Sequence, residues 1–172
     1  MKLEDLASRR LTYQPRRLTL DGPMPPRFHH LEVERRLGAG DAAYHSVSEA
    51  LMSFAPQRGI GLRPLTTAAR AAVDVDVLNR LLVVGVPCRV VWAVEGPERT
   101  GFGYGTLEGH LESGEEGFLV ERRGEDVYAV VRAYARASAW PARLGGPLTW
   151  RLQRIAALGY LRALQRAVRE DG

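Results

Sequence analysis

The sequence predicts an α+β fold in which a curved antiparallel sheet wraps a long C-terminal helix. Segments with the two-residue alternation of strands follow one another through the centre of the chain, and one long helical pattern closes it. The connections between the central strands are too short for the crossovers that parallel strands require. A third observation, a strand with glycine at every second position, indicates a sheet that bends sharply.

The first part of the chain predicts an arm, a strand and a helix. Residues 1–27 are polar and proline-rich and indicate an extended N-terminal arm, followed by a single domain over residues 28–168. Residues 28–37 alternate loosely and predict the first strand. A helix begins at Asp41, a good N-cap, and ends before Pro56. Its apolar face consists of residues at helical spacing: Tyr44, Val47, Leu51 and Phe54.

The rest of the chain predicts a run of strands and then the long helix. The strands are expected over residues 73–77, 87–95, 99–107, 117–122 and 126–136. In the helix over residues 148–168 the apolar residues recur mostly every three positions, so their stripe drifts around the helix axis. A curved sheet suits such a stripe because successive turns of the helix meet different walls. The order fits a helix-grip fold with a cavity between sheet and helix; a hotdog-like roll, in which the wrapped helix is the early one, is the alternative.

The strand over residues 99–107 places aromatic residues on one face and glycines on the other. Phe102 and Tyr104 alternate with Gly101, Gly103 and Gly105. Glycine costs a strand both conformational entropy and packing, so the neighbourhood must compensate. Either the sheet bends sharply or a helix approaches closely, or the glycine face forms the floor of a ligand pocket.

The segment after this strand has the highest density of chemically active side chains. We interpret residues 107–116 as a loop that carries His110 together with Glu108, Glu112, Glu115 and Glu116. A histidine oriented by a carboxylate acts as a general acid or base, which makes His110, Glu112 and Glu115 candidate catalytic residues. The alternatives are a solvated acidic loop and a divalent-metal site, and the metal site requires the side chains to converge. We assign no metal ligand here, and no cofactor is predicted, since no phosphate or dinucleotide motif occurs.

Composition and charge limit the partners and the compartment. The formal net charge is +4, but Lys2 is the single lysine and the arginines are spread along the chain, so nucleic-acid binding is not expected. No apolar run is long enough to span a membrane. Cys88 is the single cysteine, which excludes an internal disulfide, and the first residues include acids where a signal peptide needs basic and apolar ones. These features predict a cytoplasmic protein; its oligomeric state is left open.

Several motifs resemble an uncharacterised family of bacteria and plants, the domain of unknown function nineteen-ninety. The resemblance covers roughly residues 28–168 and is strongest over residues 87–91 and 101–116, with further matches over residues 131–136, 144–148 and 160–164. The family usually has proline where this chain has Glu108 and Leu111, and a tryptophan-containing end to its early helix where this chain has Met52-Ser53-Phe54. No activity is established for the family. The resemblance implies a helix-grip fold like that of START and Bet v 1 proteins, which bind apolar ligands.

Three functions follow from these observations. The first is binding of a small apolar molecule or lipid between sheet and helix, with walls from the aromatic residues that face inward among Trp92, Phe102, Tyr104, Tyr128 and Tyr134. The second is an enzyme that uses His110 with Glu112 or Glu115. The third is an interaction protein that binds an acidic partner through arginines of the last helix: Arg151, Arg162, Arg166 and Arg169.

Overall fold

A computed structural model describes residues 1–82, 84–137 and 140–170, and in the last helix the side chains of residues 150–166 and 168. Its helices are α1 (Leu18–Asp21), α2 (Gly40–Met52), α3 (Ala55–Gly59) and α4 (Trp140–Glu170). Its strands are β1 (His29–Ala39), β2 (Arg63–Thr66), β3 (Asp76–Leu81), β4 (Val84–Glu95), β5 (Arg99–Thr106), β6 (Glu112–Arg123) and β7 (Asp126–Ala137).

The described strands form one seven-stranded sheet in the order β1-β7-β6-β5-β4-β3-β2. Every neighbouring pair is antiparallel, as the short connections predict. The sheet has an inner face that packs against α2 and α4. The main core lies there and includes Val90, Phe102 and Phe118 from the strands and Tyr160 and Leu161 from α4. The α+β prediction is confirmed.

The outer face of the sheet is covered by the N-terminal arm, which is part of the packed fold. A short 3₁₀ helix, Leu3–Leu6, places Leu6 in a small apolar cluster with Leu78 and Leu107. Further along the arm, Leu20 of α1 packs against Trp92. The arm therefore buries apolar surface that the outer face of the sheet would otherwise expose.

The glycines of β5 lie on this outer face, opposite the face that carries Phe102 and Tyr104, so the pocket-floor hypothesis for them is wrong. A β-carbon on Gly103 or on Gly117 of the neighbouring strand would overlap the Trp92 indole, and one on Gly105 would overlap the Tyr13 ring. The glycines are required because aromatic rings pack directly on the backbone of β5 and β6. The close approach expected of a helix is instead made at Gly103 and Gly105 by two aromatic side chains, Trp92 of β4 and Tyr13 of the arm.

Several element boundaries differ from the sequence prediction. The acidic loop is short, since β5 ends at Thr106 and β6 begins at Glu112, so the last three acids of the segment lie in a strand. Gly109 makes this compact turn possible, because its φ of +92° suits glycine. The strand expected over residues 73–77 instead starts at Asp76, preceded by a turn in which Asp74 has a φ of +68°. Helix α4 starts at Trp140, before the predicted residue 148.

No helix among the described residues has the length and apolar character needed to cross a bilayer.

Candidate functional site

A cavity of about 970 Å³ lies between the inner face of the sheet and α4. Its walls are mainly aliphatic and come from β1, α3, β4 and α4, for example Leu31, Ile60, Val86 and Ala156. Pockets for small molecules measure about 300–1,000 Å³ and are predominantly apolar with a few polar groups. The cavity therefore has the size and the lining of a small-molecule site.

Exposed aliphatic side chains surround the mouth of this cavity. Leu81, Val84, Leu111, Leu152 and Ile155 all line the cavity, yet each is between 48% and 62% exposed. They come from the β3–β4 turn, the β5–β6 turn and α4. Exposed aliphatic residues that rim an apolar cavity mark a place where an apolar molecule passes from the surface to the interior.

A carboxyl group and two tyrosines form the polar part of the cavity wall. Glu116 of β6 lies on the inner face, and the Tyr104 hydroxyl donates a hydrogen bond of 2.8 Å to its Oε2. Tyr160 of α4 completes the group and also lines the cavity. Glu116 is half-buried, and it lines the cavity.

The chemistry of this cluster follows from its burial. Burial raises the pKa of Glu116 to about 7, the Tyr104 hydrogen bond acts in the opposite direction, and the nearby charge of Glu112 raises the pKa further. Burial also raises the pKa of Tyr104 and of Tyr160 well above the usual value, so both hydroxyls keep their protons. The cavity thus contains one carboxyl group that changes its charge near neutral pH.

Two of the three predicted catalytic residues lie together at the cavity wall. The backbone N–H of Glu112 donates a hydrogen bond of 2.8 Å to His110 Nδ1, and Gln153 Nε2 donates one of 2.6 Å to Glu112 Oε2. Because Nδ1 accepts this hydrogen bond, the proton of the neutral His110 ring is on Nε2. Burial lowers the pKa of His110 to about 4, so the ring is neutral at physiological pH. Burial raises the pKa of Glu112.

The side chain of the third, Glu115, points to the opposite face of the sheet, because successive strand residues alternate. Its carboxylate accepts hydrogen bonds from the Tyr13 hydroxyl at 2.7 Å, the Arg17 N–H at 2.8 Å and the Thr19 N–H at 3.0 Å. The Thr19 hydroxyl and the Trp92 indole N–H also donate to it. Glu115 therefore fixes the N-terminal arm to β6, and the structure separates it from His110 and Glu112.

Two of the five aromatic residues predicted as ligand walls face inward. Tyr104 lines the cavity. Phe102 lies in the core beside it, with ring centroids 5.2 Å from Phe54 and 5.4 Å from Phe118. Phe102 supports the wall from behind and is not among the lining residues.

The other three aromatic residues are engaged on the outer face. The Trp92 indole donates a hydrogen bond of 2.9 Å to the Thr19 hydroxyl, and the Arg123 guanidinium stacks on Tyr128 at 4.6 Å. Tyr134 has an atom at the cavity lining, but its hydroxyl is bonded to the Pro15 carbonyl. Trp92 is on this side because of a register shift between Val90 and Trp92, a β-bulge that reverses the alternation.

The arginines predicted as an interaction face on α4 are divided between two environments. Arg162 and Arg166 line the cavity, and Arg166 donates a hydrogen bond of 3.0 Å to the Gly59 carbonyl. Arg151 is exposed. The side chain of Arg169 lies outside the described residues.

Neither metal chemistry nor thiol chemistry is indicated by the described residues. No group of three His, Cys, Asp or Glu side chains within residues 1–82, 84–137 and 140–170 is arranged to hold a metal ion. Cys88 is buried, and burial raises the pKa of its thiol, which makes it a poor nucleophile.

Sequence reasoning did not single out Glu116, Tyr160 or Gln153. Glu116 is two residues before Phe118, so alternation places its side chain on the apolar inner face. That signal is available in the sequence once β6 is extended back to Glu112. The contributions of Tyr160 and Gln153 depend on how α4 packs, which the sequence does not specify.

Comparison with known proteins supports the fold and identifies the family. A UPF0548 protein of Deinococcus radiodurans is 34% identical over 164 residues, which cover 87% of this chain and 83% of that protein. The solved structure of hypothetical protein jhp0584 from Helicobacter pylori matches with a TM-score of 0.66 at 12% identity, covering 90% of this chain and 94% of that one. A START superfamily protein from Mycobacterium smegmatis matches with a TM-score of 0.58 at 13% identity, covering 83% and 98%. These structures confirm the predicted helix-grip fold. The model of the family described as a domain of unknown function, DUF1990, matches residues 12–163, and the chain belongs to this family.

Proposed function

We propose that this protein binds a small, largely apolar molecule in the cavity between the sheet and α4. The observation that carries the proposal is the cavity itself, about 970 Å³ in volume, with mainly aliphatic walls and an exposed aliphatic rim. Burial of a ligand's apolar surface supplies the binding energy, roughly 25 cal/mol per Å² removed from water. The likeness to a START superfamily protein supports the same proposal at the level of fold.

Filling the cavity tests the proposal. Ala156 of α4 lines the cavity, so Ala156→Trp places an indole in the space that a ligand needs. Ala69→Trp is the matched control, because Ala69 is exposed and does not line the cavity. Nile red, a neutral apolar dye, is titrated into each protein and its fluorescence is followed.

The expected result is saturable Nile red binding by the wild type and by Ala69→Trp, and at least about tenfold weaker binding by Ala156→Trp. Thermal unfolding of both variants verifies that they are folded. Equal binding by a folded Ala156→Trp protein would contradict the proposed site. Native mass spectrometry of protein purified from its own host then identifies the bound molecule.

Acid–base catalysis is a second candidate, favoured by one observation. A general acid or base works best when its pKa is near the working pH, and Glu116 in the cavity wall has a pKa of about 7. His110, with a pKa of about 4, is a weak base by comparison. If the protein is an enzyme, the co-purified molecule is converted by the wild type and stays unchanged with Glu116→Gln. Recovery of the same unchanged molecule from both proteins would exclude this candidate.

A further inference from the structure

We infer that the cavity selects molecules that carry a protonated amine on an otherwise apolar body, and that the amine binds at Glu116. This inference rests on the proposed function, because it specifies the chemical class of ligand for the same cavity. Three observations carry it: the shortage of donors at Glu116, the second carboxyl on the same strand face, and the absence of an ion pair at either carboxyl among the described residues.

The shortage of donors is clear from two adjacent residues of β6. The Glu115 carboxylate receives hydrogen bonds from Tyr13, Arg17 and Thr19, at distances up to 3.0 Å, and the residue is buried. For Glu116, Tyr104 is the one side-chain donor among the described residues, and it serves Oε2. A carboxylate can accept several hydrogen bonds, so half-buried Glu116, with one side-chain donor, has capacity for a donor from the cavity side.

The β6 wall of the cavity carries two carboxyl groups. Glu112 and Glu116 lie four residues apart on the inner face, and both line the cavity. Within the described residues neither forms an ion pair; Glu112 is bonded to the neutral amide of Gln153. Arg162 and Arg166 line the cavity from α4, and Arg166 donates its hydrogen bond to the Gly59 carbonyl and not to either carboxyl group.

An ammonium group matches this environment better than other polar groups. It offers three donors and a positive charge, and charge-assisted hydrogen bonds to a carboxylate are about twice as strong as neutral ones. A carboxylate or phosphate group placed beside Glu116 would be repelled by Glu116 and Glu112 once these carboxyls are ionised. An alcohol would donate a hydrogen bond to Glu116 without compensating the negative charge of its carboxylate.

A set of three probes with the same chain tests this selection. Dodecylamine, dodecanol and dodecanoate are tested as competitors of Nile red for the wild-type protein at pH 8, the two ionic probes below their micelle concentrations and dodecanol below its solubility limit. Dodecylamine is expected to bind at least about tenfold more tightly than dodecanol, and dodecanoate most weakly. With Glu116→Gln the affinity for dodecylamine falls to within about threefold of that for dodecanol.

Glu121→Gln is the matched control, since it removes one negative charge from the same strand at a residue that does not line the cavity. It is expected to keep the preference for dodecylamine. Equal binding of dodecanol and dodecylamine by the wild type overturns the inference but leaves the proposed function intact. An unchanged preference for dodecylamine in Glu116→Gln has the same two consequences. If none of the three probes binds, the proposed function itself is contradicted.

The pH dependence of the wild type provides a test that needs no variant. Because the pKa of Glu116 is about 7, the carboxyl gains its charge between pH 6 and pH 8, while an alkylamine stays protonated over that range. The affinity for dodecylamine is expected to rise up to about tenfold from pH 6 to pH 8, and the affinity for dodecanol to change less than about threefold. A flat profile for dodecylamine overturns the inference.

Other titratable groups near Glu116 do not obscure this profile. Burial raises the pKa of Tyr104, Tyr160 and Cys88, so these groups stay protonated, and His110 stays neutral because its pKa is about 4. Burial raises the pKa of Glu112 too, so ionisation of Glu112 acts in the same direction.

Discussion

Replacing Glu115 with Gln tests how the N-terminal arm is held against the sheet. The substitution keeps the shape of the side chain but puts an NH₂ group in place of one carboxylate oxygen. With the amide oxygen at the Oε1 position, Thr19 keeps its acceptor, while the Arg17 N–H faces another donor. At least one hydrogen bond to a charged group is lost, and one partly buried donor, the Arg17 N–H, loses its partner.

The size of the effect follows from those two losses. A hydrogen bond to a charged group contributes about 1.5–3 kcal/mol, and an unsatisfied buried donor costs about 1–3 kcal/mol. We therefore expect the free energy of unfolding to fall by about 3 kcal/mol. For a chain of this length, 1 kcal/mol corresponds to about 2–4 °C in Tm, so the loss amounts to about 10 °C.

Urea denaturation followed by circular dichroism measures the change, and hydrogen exchange locates it. Glu121→Gln is the control on the same strand: its ion pairs with Arg123 and Arg99 are at the surface, so it should cost less than about 1 kcal/mol. Faster exchange of the Arg17 and Thr19 amides is expected in Glu115→Gln alone. A loss below about 1 kcal/mol, or one equal to that of the control, would refute the role given to Glu115.

Three further predictions concern the sheet and the cavity. Gly103→Ala brings a β-carbon into overlap with the Trp92 indole and should lower the free energy of unfolding by about 1–3 kcal/mol. Gly96→Ala is the control: the nearest atom to its added β-carbon is 3.5 Å away, so it should cost less than about 1 kcal/mol. Equal losses in urea denaturation would contradict this packing. Because burial raises the pKa of Glu116 from 4.5 to about 7, the folded state binds its proton more tightly than the unfolded state. The free energy of unfolding should therefore fall by up to about 3 kcal/mol as pH rises from 4.5 to above 7, and Glu116→Gln should remove that part of the pH dependence in parallel urea series. The Cys88 thiol, buried and with a raised pKa, should react with iodoacetamide at least about a hundredfold more slowly in the native protein than in urea; labelling at comparable rates would show that the thiol is accessible.

The fold could be predicted from the sequence because it depends on the periodicity of apolar residues. Two-residue alternation in β5, β6 and β7 and the long pattern of α4 identify an antiparallel sheet with a terminal helix. The turns between these strands are short, so neighbours along the chain are neighbours in the sheet. The element boundaries were predicted less accurately. The acids around Gly109 suggested a long loop, whereas Gly109 allows a short turn between β5 and β6.

The candidate site was predicted in part. Alternation correctly put Tyr104 with Phe102 on one face and the β5 glycines on the other, and it indicates the inward direction of Glu116 once β6 is extended. Alternation failed at Trp92, because a β-bulge after Val90 turns the following side chains to the other face. A single sequence contains no clear mark of such a bulge.

The sequence by itself determined the class of fold, the antiparallel order of the strands and the segment in which the chemically active residues lie. Tertiary structure alone decided which face of the sheet holds the arm and which faces the cavity. That choice gives Glu115 a shell of donors and leaves Glu116 beside an apolar cavity, although the two residues are adjacent and identical in chemistry. The physical reason is that hydrogen bonding and burial depend on elements distant in sequence, here the N-terminal arm for Glu115 and α4 for Glu116.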